Sequence, residues 1–520
     1  MNGRDRGLGT REQGSGIRDQ RTVVSGLGSG IIERLAGLAV VAGVSLGVIV
    51  PFAAQAQESK PWEKIPTPPL HAFHPQQPKR IELKNGIVLF LQEDHELPFV
   101  NGSVVIPGGS RDEDPAKAGM IDLYGQAWRT SGTEKMDGDA MDDLLEAKAA
   151  HIETAGDIDS TALSWDSLKG DADQVYALAM DLLFHPKFNE DKLQLAQQQD
   201  ATNIVRRNDD EGEIASREAA KLVYGANSPY SRQAELATIG AVTLADLNAW
   251  HDRSLKGKLL VSISGDFDPT AMEAKLRATF DPLPAVKPLP AHHEVFHDPN
   301  QALYFIDKED VNQSNVEIVG LGIDRHNPDV PSLAVMNEIL GGGFGSRLFQ
   351  KVRTELGLAY AVGGGLSFDY DHPGTFRVMV LTKSASTVDA TKAALGEIAG
   401  VNQRPFTEEE LKRAKDDILS SFLFRYDTRE KVLAESVRLE FYGYPANYLE
   451  TYKAALEKVT LADLATVAKK YVHPDKLAVL VVGNGPEIKP GLDELGMGAI
   501  HPVDITIPQP KQGPGQENKQ

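Results

Sequence analysis

Six consecutive residues, Val-Thr-Leu-Ala-Asp-Leu, occur twice in this 520-residue chain, starting at Val242 and again at Val459, 217 positions on. The match continues upstream: Phe188-Asn189-Glu190 pairs with Phe406-Thr407-Glu408, and Tyr224-Gly225 with Tyr442-Gly443, both 218 positions apart. A near-constant offset over this length is the mark of a duplicated unit, so whatever fold the chain adopts has to be built twice.

Each copy has the same order of signals. A β-rich opening precedes a helix, another strand, long acidic helices, and a helix that feeds a closing strand. Thr243 and Thr460 stand at the starts of those last helices with Asp246 and Asp463 three residues on, an acidic form of the capping box. The closing strands, Leu-Leu-Val-Ser-Ile-Ser-Gly and Leu-Ala-Val-Leu-Val-Val-Gly, are mostly apolar and contain β-branched residues. The pattern predicts an α+β protein of two homologous halves, each a mostly antiparallel sheet packed with helices. Proline-rich stretches mark the boundaries, because proline fits neither helix interiors nor central strands. They divide the chain into a proline-rich lead-in over 57–80, a first domain over 81–285, a linker over 286–299, a second domain over 300–485, and a polar tail over 486–520.

Residues 1–56 read as an export signal. Arg4, Arg6, Arg11, Arg18, Arg21 and Arg34 precede an apolar run over 35–52, and Ala54-Gln55-Ala56 supplies a small-x-small cleavage pattern, which places the mature start near Gln57. If it is not cleaved, the run is barely long enough to anchor the chain in a bilayer. The true start could also lie downstream of Met1. An exported chain, periplasmic or secreted, is expected, with no stable membrane association after cleavage. The net charge of −20 opposes nucleic acid and anionic lipid at long range. With no cysteine in the sequence, disulfides, thiolate zinc sites and a thiol nucleophile are excluded, and any metal would need His and carboxylate ligands.

The stretch over 118–133, Ala-Gly-Met-Ile-Asp-Leu-Tyr-Gly-Gln-Ala-Trp-Arg-Thr-Ser-Gly-Thr, resembles the active-site helix of the pitrilysin/insulinase peptidases, family M16. In that family the helix carries His-x-x-Glu-His, two zinc ligands on one face with the glutamate as general base. The resemblance covers essentially the whole chain after the signal and implies the same two-half layout. It departs at every position that the chemistry requires: Asp122 stands for the first histidine, Gly125 for the glutamate, Gln126 for the second histidine, and Asn203 for the distal glutamate ligand. Glycine is no base, and amides are poor zinc ligands beside His and Glu. The resemblance therefore implies a degenerate zinc site in the first half, with no catalytic residue, no metal and no cofactor in this chain.

The second half keeps a different feature. Arg353 and Tyr360, seven residues apart in a stretch over 341–365 similar to the family's second-half segment, match the pair that the resemblance assigns to gripping the substrate backbone and carbonyl. A guanidinium fork and a neutral phenol are suitable donors for that work. Read without the family, the two would be an arginine on a solvated helix and a core tyrosine. The run Gly-Gly-Gly-Phe-Gly over 341–345 lacks the Gly-Lys-Ser/Thr of a phosphate loop and is expected to be a loop over a bound peptide. His293-Glu294-Val295-Phe296-His297 spells His-Glu-x-x-His, but between Pro288, Pro290 and Pro299 it has no room for the helix that such a zinc site needs, although His292, His293 and His297 could pick up adventitious metal.

The expectation is a non-catalytic, substrate-binding subunit of an exported M16-type zinc peptidase, forming a heterodimer with a zinc-bearing partner to process peptides. Two alternatives stay open: a peptide-binding or scaffold protein with no part in catalysis, and an autonomous peptidase with unorthodox ligands.

Overall fold

The computed structural model describes residues 75–287 and 294–509. The signal over 1–56, most of the lead-in, His292, His293 and residues 510–520 lie outside the described residues.

The first half runs β1 (Lys79–Glu82), β2 (Val88–Glu93), β3 (Phe99–Pro107), α1 (Met120–Ser131), α2 (Gly138–Glu146), β4 (His151–Gly156) and β5 (Ser160–Leu168). Six helices and a strand complete it: α3 (Ala172–Phe184), α4 (Glu190–Arg206), α5 (Glu211–Tyr224), α6 (Leu236–Gly240), α7 (Leu244–Ser254), β6 (Leu260–Gly265) and α8 (Pro269–Phe280). The second half opens with β7 (Leu303–Asp307), β8 (Gln313–Leu321), β9 (Ile323–Asp324), α9 (Val330–Asn337), β10 (Ala359–Leu366), β11 (Phe368–Asp369) and β12 (Thr375–Lys383). It closes with α10 (Thr387–Gln403), α11 (Glu408–Phe424), α12 (Arg429–Phe441), α13 (Tyr448–Lys458), α14 (Leu461–Tyr471), β13 (Ala478–Gly483) and β14 (Ile500–Pro502).

The duplication survives in the topology. One six-stranded sheet has the order β1-β2-β6-β3-β5-β4, and the other, read from the corresponding edge, β14-β7-β13-β8-β12-β10. In both, the closing strand lies parallel to the opening one and antiparallel to the next, and the remaining pairs toward β4 and β10 are antiparallel. The outermost strand breaks the symmetry: β1 comes from the N-terminal side and is antiparallel to β2, whereas β14 comes from the C-terminal side and is parallel to β7. The predicted helix starts also hold. Asp246 accepts from the backbone N–H of Thr243 at 2.9 Å, and Asp463 from that of Thr460 at 2.9 Å, so each box satisfies an amide that the first turn would leave orphaned.

Strands β3 and β12 alternate buried and partly exposed residues, as strands covered on one face do, but β6 and β13 are buried at every position. An exchange of helices covers their second face. Helix α5, from the first half, packs Ile214, Ala215, Ala219 and Val223 onto Val319, Ala478, Leu480 and Val482 of the second sheet. Its counterpart α12, from the second half, packs Leu433 and Val437 onto Val88, Phe90 and Leu260 of the first. Ionic contacts fasten α12 there: Glu440 bonds Arg80 at 2.8 and 2.9 Å and Lys258 at 2.7 Å, and Arg429 meets Asp94 at 2.8 Å.

The tail is more ordered than its polar composition suggests. Residues 500–502 form β14, Val503 donates to Phe305 O at 2.9 Å, Asn208 donates to Ile505 O at 2.7 Å, and Ile507 packs against the first-half core. The tail over 486–520 is thus tied down in its described part, because isolated apolar residues every second position suffice to dock an extended chain. Among the described residues no helix is long and apolar enough to cross a membrane.

Candidate functional site

Helix α1 begins at Gly119, whose φ of 95° a side chain would resist. Its first amides are held by a buried carboxylate rather than by an N-cap residue: Glu113 accepts from Gly119 N at 3.0 Å and Ile121 N at 3.2 Å. The inward face is an aromatic core. Tyr124 and Trp128 have ring centroids 5.2 Å apart, Trp128 donates to Leu182 O at 2.9 Å, and the Tyr124 hydroxyl donates to His251 Nδ1 at 2.8 Å. That direction follows because His251 Nε2 faces the carbonyl of Leu183, 3.0 Å away, and must carry the proton. Burial depresses the His251 pKa to about 4, so the ring is neutral at physiological pH.

At the family's zinc positions, Asp122 and Asn203 are exposed, the latter near the end of α4. Gln126 turns to α4, where its amide donates to Asp200 at 3.0 Å. Burial pushes the Asp200 carboxyl up, and the Gln126 bond only partly opposes this. Gly125, at the general-base position, lies against β4, and a Cβ there would come within 2.7 Å of Gly156 N and 3.1 Å of the Ala155 backbone. Gly156 answers it: a Cβ on that residue would meet Ile121 at 2.2 Å. Thr154 Oγ1 locks the contact by donating to Gly125 O at 2.6 Å. Helix and strand approach through paired glycines, so the position lacks both the glutamate and the space for one. These residues do not fit a zinc ion, and among the described residues no three His, Asp or Glu side chains converge to hold a metal.

Arg353 and Tyr360 are brought together. A π-helical turn over Phe349–Glu355 carries Arg353, and its guanidinium carbon lies 4.8 Å from the centroid of Phe349 and 5.7 Å from that of Tyr360. Such turns, and bulges in edge strands, recur where a side chain has to be re-aimed. Both devices occur here: the pairing of edge strand β10 with β12 slips between Ala359 and Ala361, so Tyr360 is the bulged residue and is 71% exposed. Among the described residues no carboxylate pairs with Arg353, which leaves its donors to an incoming acceptor.

Two neighbours that the spacing did not single out extend this surface. Phe344, 74% exposed, stands edge-on to Phe349 at 4.9 Å. The glycine loop that presents Phe344 is tethered, because Arg413 donates to Gly345 O at 2.8 Å and Gln350 to Phe344 O. A lone phenylalanine among glycines was the available signal. The His-Glu-x-x-His string contributes no helix in its described part, since residues 294–300 are irregular; Glu294 accepts from the Ser228 hydroxyl at 3.1 Å, and Phe296 packs against Tyr224.

Comparison with known proteins agrees with this geometry. Residues 88–218 match the profile of the insulinase family, peptidase family M16, and residues 241–418 that of the peptidase M16 inactive domain, together more than half of the chain. The non-peptidase homolog YmxG of Helicobacter pylori is 24% identical over 408 residues, 76% of this chain and 92% of that protein. An uncharacterized zinc protease, YmxG of Bacillus subtilis, is 21% identical over 419 residues, 78% and 98% of the two chains. The crystal structure of a peptidase M16 inactive domain from Pseudomonas fluorescens has the same fold, with a TM-score of 0.70 and 24% identity, and covers 79% of this chain and 98% of that one. The chain belongs to peptidase family M16.

Proposed function

We propose that this chain is the substrate-binding, non-catalytic subunit of an exported M16-type zinc peptidase, paired with a zinc-bearing partner. One observation carries the reading: the surface made by Arg353, Tyr360, Phe349 and Phe344 is exposed and its guanidinium is unspent, while helix α1 lacks every group for hydrolysis. In this division of labour the partner supplies zinc, water and base. Arg353 and Tyr360 donate to peptide carbonyls, and the two phenylalanines pack against side chains of the same peptide. Localisation outside the cytoplasm rests on the arginine-rich leader, the apolar run and the Ala54-Gln55-Ala56 pattern.

The test is reconstitution. The mature chain should purify without stoichiometric zinc and without peptide cleavage, and should stimulate cleavage by an M16 subunit with an intact His-x-x-Glu-His. Arg353→Ala should lower kcat/KM of the reconstituted pair by roughly 10–100-fold, the weight of a charged hydrogen bond. Zinc binding and cleavage by the isolated chain would sink the proposal. Activity of the pair unchanged by Arg353→Ala would favour a scaffold.

A further inference from the structure

The repeated Tyr-Gly pair has a second use. Tyr224 ends the exchanged helix α5 and Tyr442 directly follows the exchanged helix α12. Each hydroxyl donates to the hairpin tip of the sheet that its helix covers: Tyr224 to Pro373 O at 3.0 Å, in the β11–β12 turn, and Tyr442 to Asp159, in the β4–β5 turn. Where the two tips meet, a cavity of about 370 Å³ opens on the seam between the halves. It lies at the far end of β10 from Tyr360, about 20 Å away at 3.3 Å per residue from Tyr360 to Leu366, and so is separate from the surface already described.

Its lining is unusual for a structural seam. Tyr224, Tyr230, Tyr370 and Tyr442 supply aromatic walls, Asp159, Asp369 and Asp371 supply carboxylates, and no lysine or arginine lines it. Arg111 behind the wall reaches Asp159 at 2.7 Å and Asp371 at 2.5 Å, and His372 bonds Asp371 at 2.9 Å. Arg325 is laid on the ring of Tyr370 at 4.0 Å. Asp159 is fully engaged: its Oδ1 lies in that 2.7 Å ion pair, and Tyr442 donates to its other oxygen. Among the described residues the Asp369 carboxylate accepts no hydrogen bond and has His372 Nε2 at 3.6 Å. A spare carboxylate beside tyrosine rings is the chemistry that binds an organic cation, by ion pairing and cation–π attraction together.

We propose that the seam cavity binds a ligand bearing an alkylammonium group, either a small free amine or a lysine side chain of a polypeptide. Asp369 takes the charge and the tyrosines the alkyl stem. The ligand would bridge groups from both halves, and the duplicated tyrosines build the site by holding the two tips together.

Calorimetric titration of the mature chain with n-butylammonium, n-butanol and doubly capped lysine tests this. Saturable one-to-one binding of butylammonium is expected, with n-butanol and the Asp369→Asn chain each weaker by at least about tenfold, the value of one charged hydrogen bond. Capped lysine binding with the same Asp369 dependence identifies a polypeptide source, and amine binding alone identifies a free amine. Equal binding of butanol, no effect of Asp369→Asn, or no saturable binding of any probe overturns the proposal. The readout is amine binding by the isolated chain, so its outcome is independent of the peptidase-subunit reading.

Discussion

Gly125 states most clearly, at the scale of one residue, why this helix is not a peptidase helix awaiting a few reversions. Alanine in a helix interior is worth up to about 1 kcal/mol over glycine. At Gly125 that gain is overturned, because the new Cβ meets backbone atoms of β4, which is itself paired along its length with β5. Overpacking of this kind costs roughly 1–3 kcal/mol. Gly396, exposed within α10 with nothing within 4 Å of a built Cβ, is the matched control. Gly125→Ala should therefore lower the denaturation midpoint and Gly396→Ala raise it, both read by urea unfolding of the mature chain. A triple change of Asp122→His, Gly125→Glu and Gln126→His should be further destabilised and should fail to retain stoichiometric zinc, whereas a stable zinc-binding product would show that the helix can retreat from the strand.

At the scale of elements, the exchanged helices are what make two copies into one molecule. Ile214 of α5 is fully buried against the second sheet, and truncating such a side chain costs about 2–5 kcal/mol. Ile214→Ala should thus destabilise the second half by that amount although the residue belongs to the first. Hydrogen exchange should locate the loss on β8 and β13; protection lost only in first-half strands would contradict the exchange. The repeat, the element order and both capping boxes were legible, because they are written in local residue patterns. The exchange was not, since the apolar stripe of α5 says that the helix must be covered and does not say by which sheet. The all-apolar β13 hinted at it, for a strand without alternation needs cover on both faces. At the site, spacing found Arg353 and Tyr360, but the bulge that turns Tyr360 outward, the glycine contact at Gly125 and the partnership of Gln126 with Asp200 all depend on long-range approach and leave no periodic trace.

The whole molecule is joined across its seam by ionic contacts as well as by apolar ones, which makes its cohesion depend on pH with a definite sign. Bonded to Arg80 and Lys258, Glu440 has its pKa drawn down from 4.5 to about 2. A depressed carboxyl gives stability that is complete above its unfolded value and is lost as pH falls through the interval between the two. For Glu440 that interval is 4.5 down to about 2. The depressed His251 contributes on a higher limb: its neutral form fits the core, so stability is complete above 6.5 and declines as pH falls from 6.5 to about 4. Acid should accordingly weaken the protein in two stages, first the core around α1 and then the contact of α12 with the first sheet. Glu440→Gln separates them. The variant should be less stable than the parent at pH 7, because Arg80 and Lys258 lose their charged partner, and should keep the decline between pH 6.5 and 4.5. Below pH 4.5 its slope should be shallower and the two curves should converge, since protonation has by then done to the parent what the substitution did to the variant. Parallel curves down to about pH 2 would place the inter-half stability in the apolar helix faces alone, and Glu440 would then be an ornament of the seam rather than one of its fastenings.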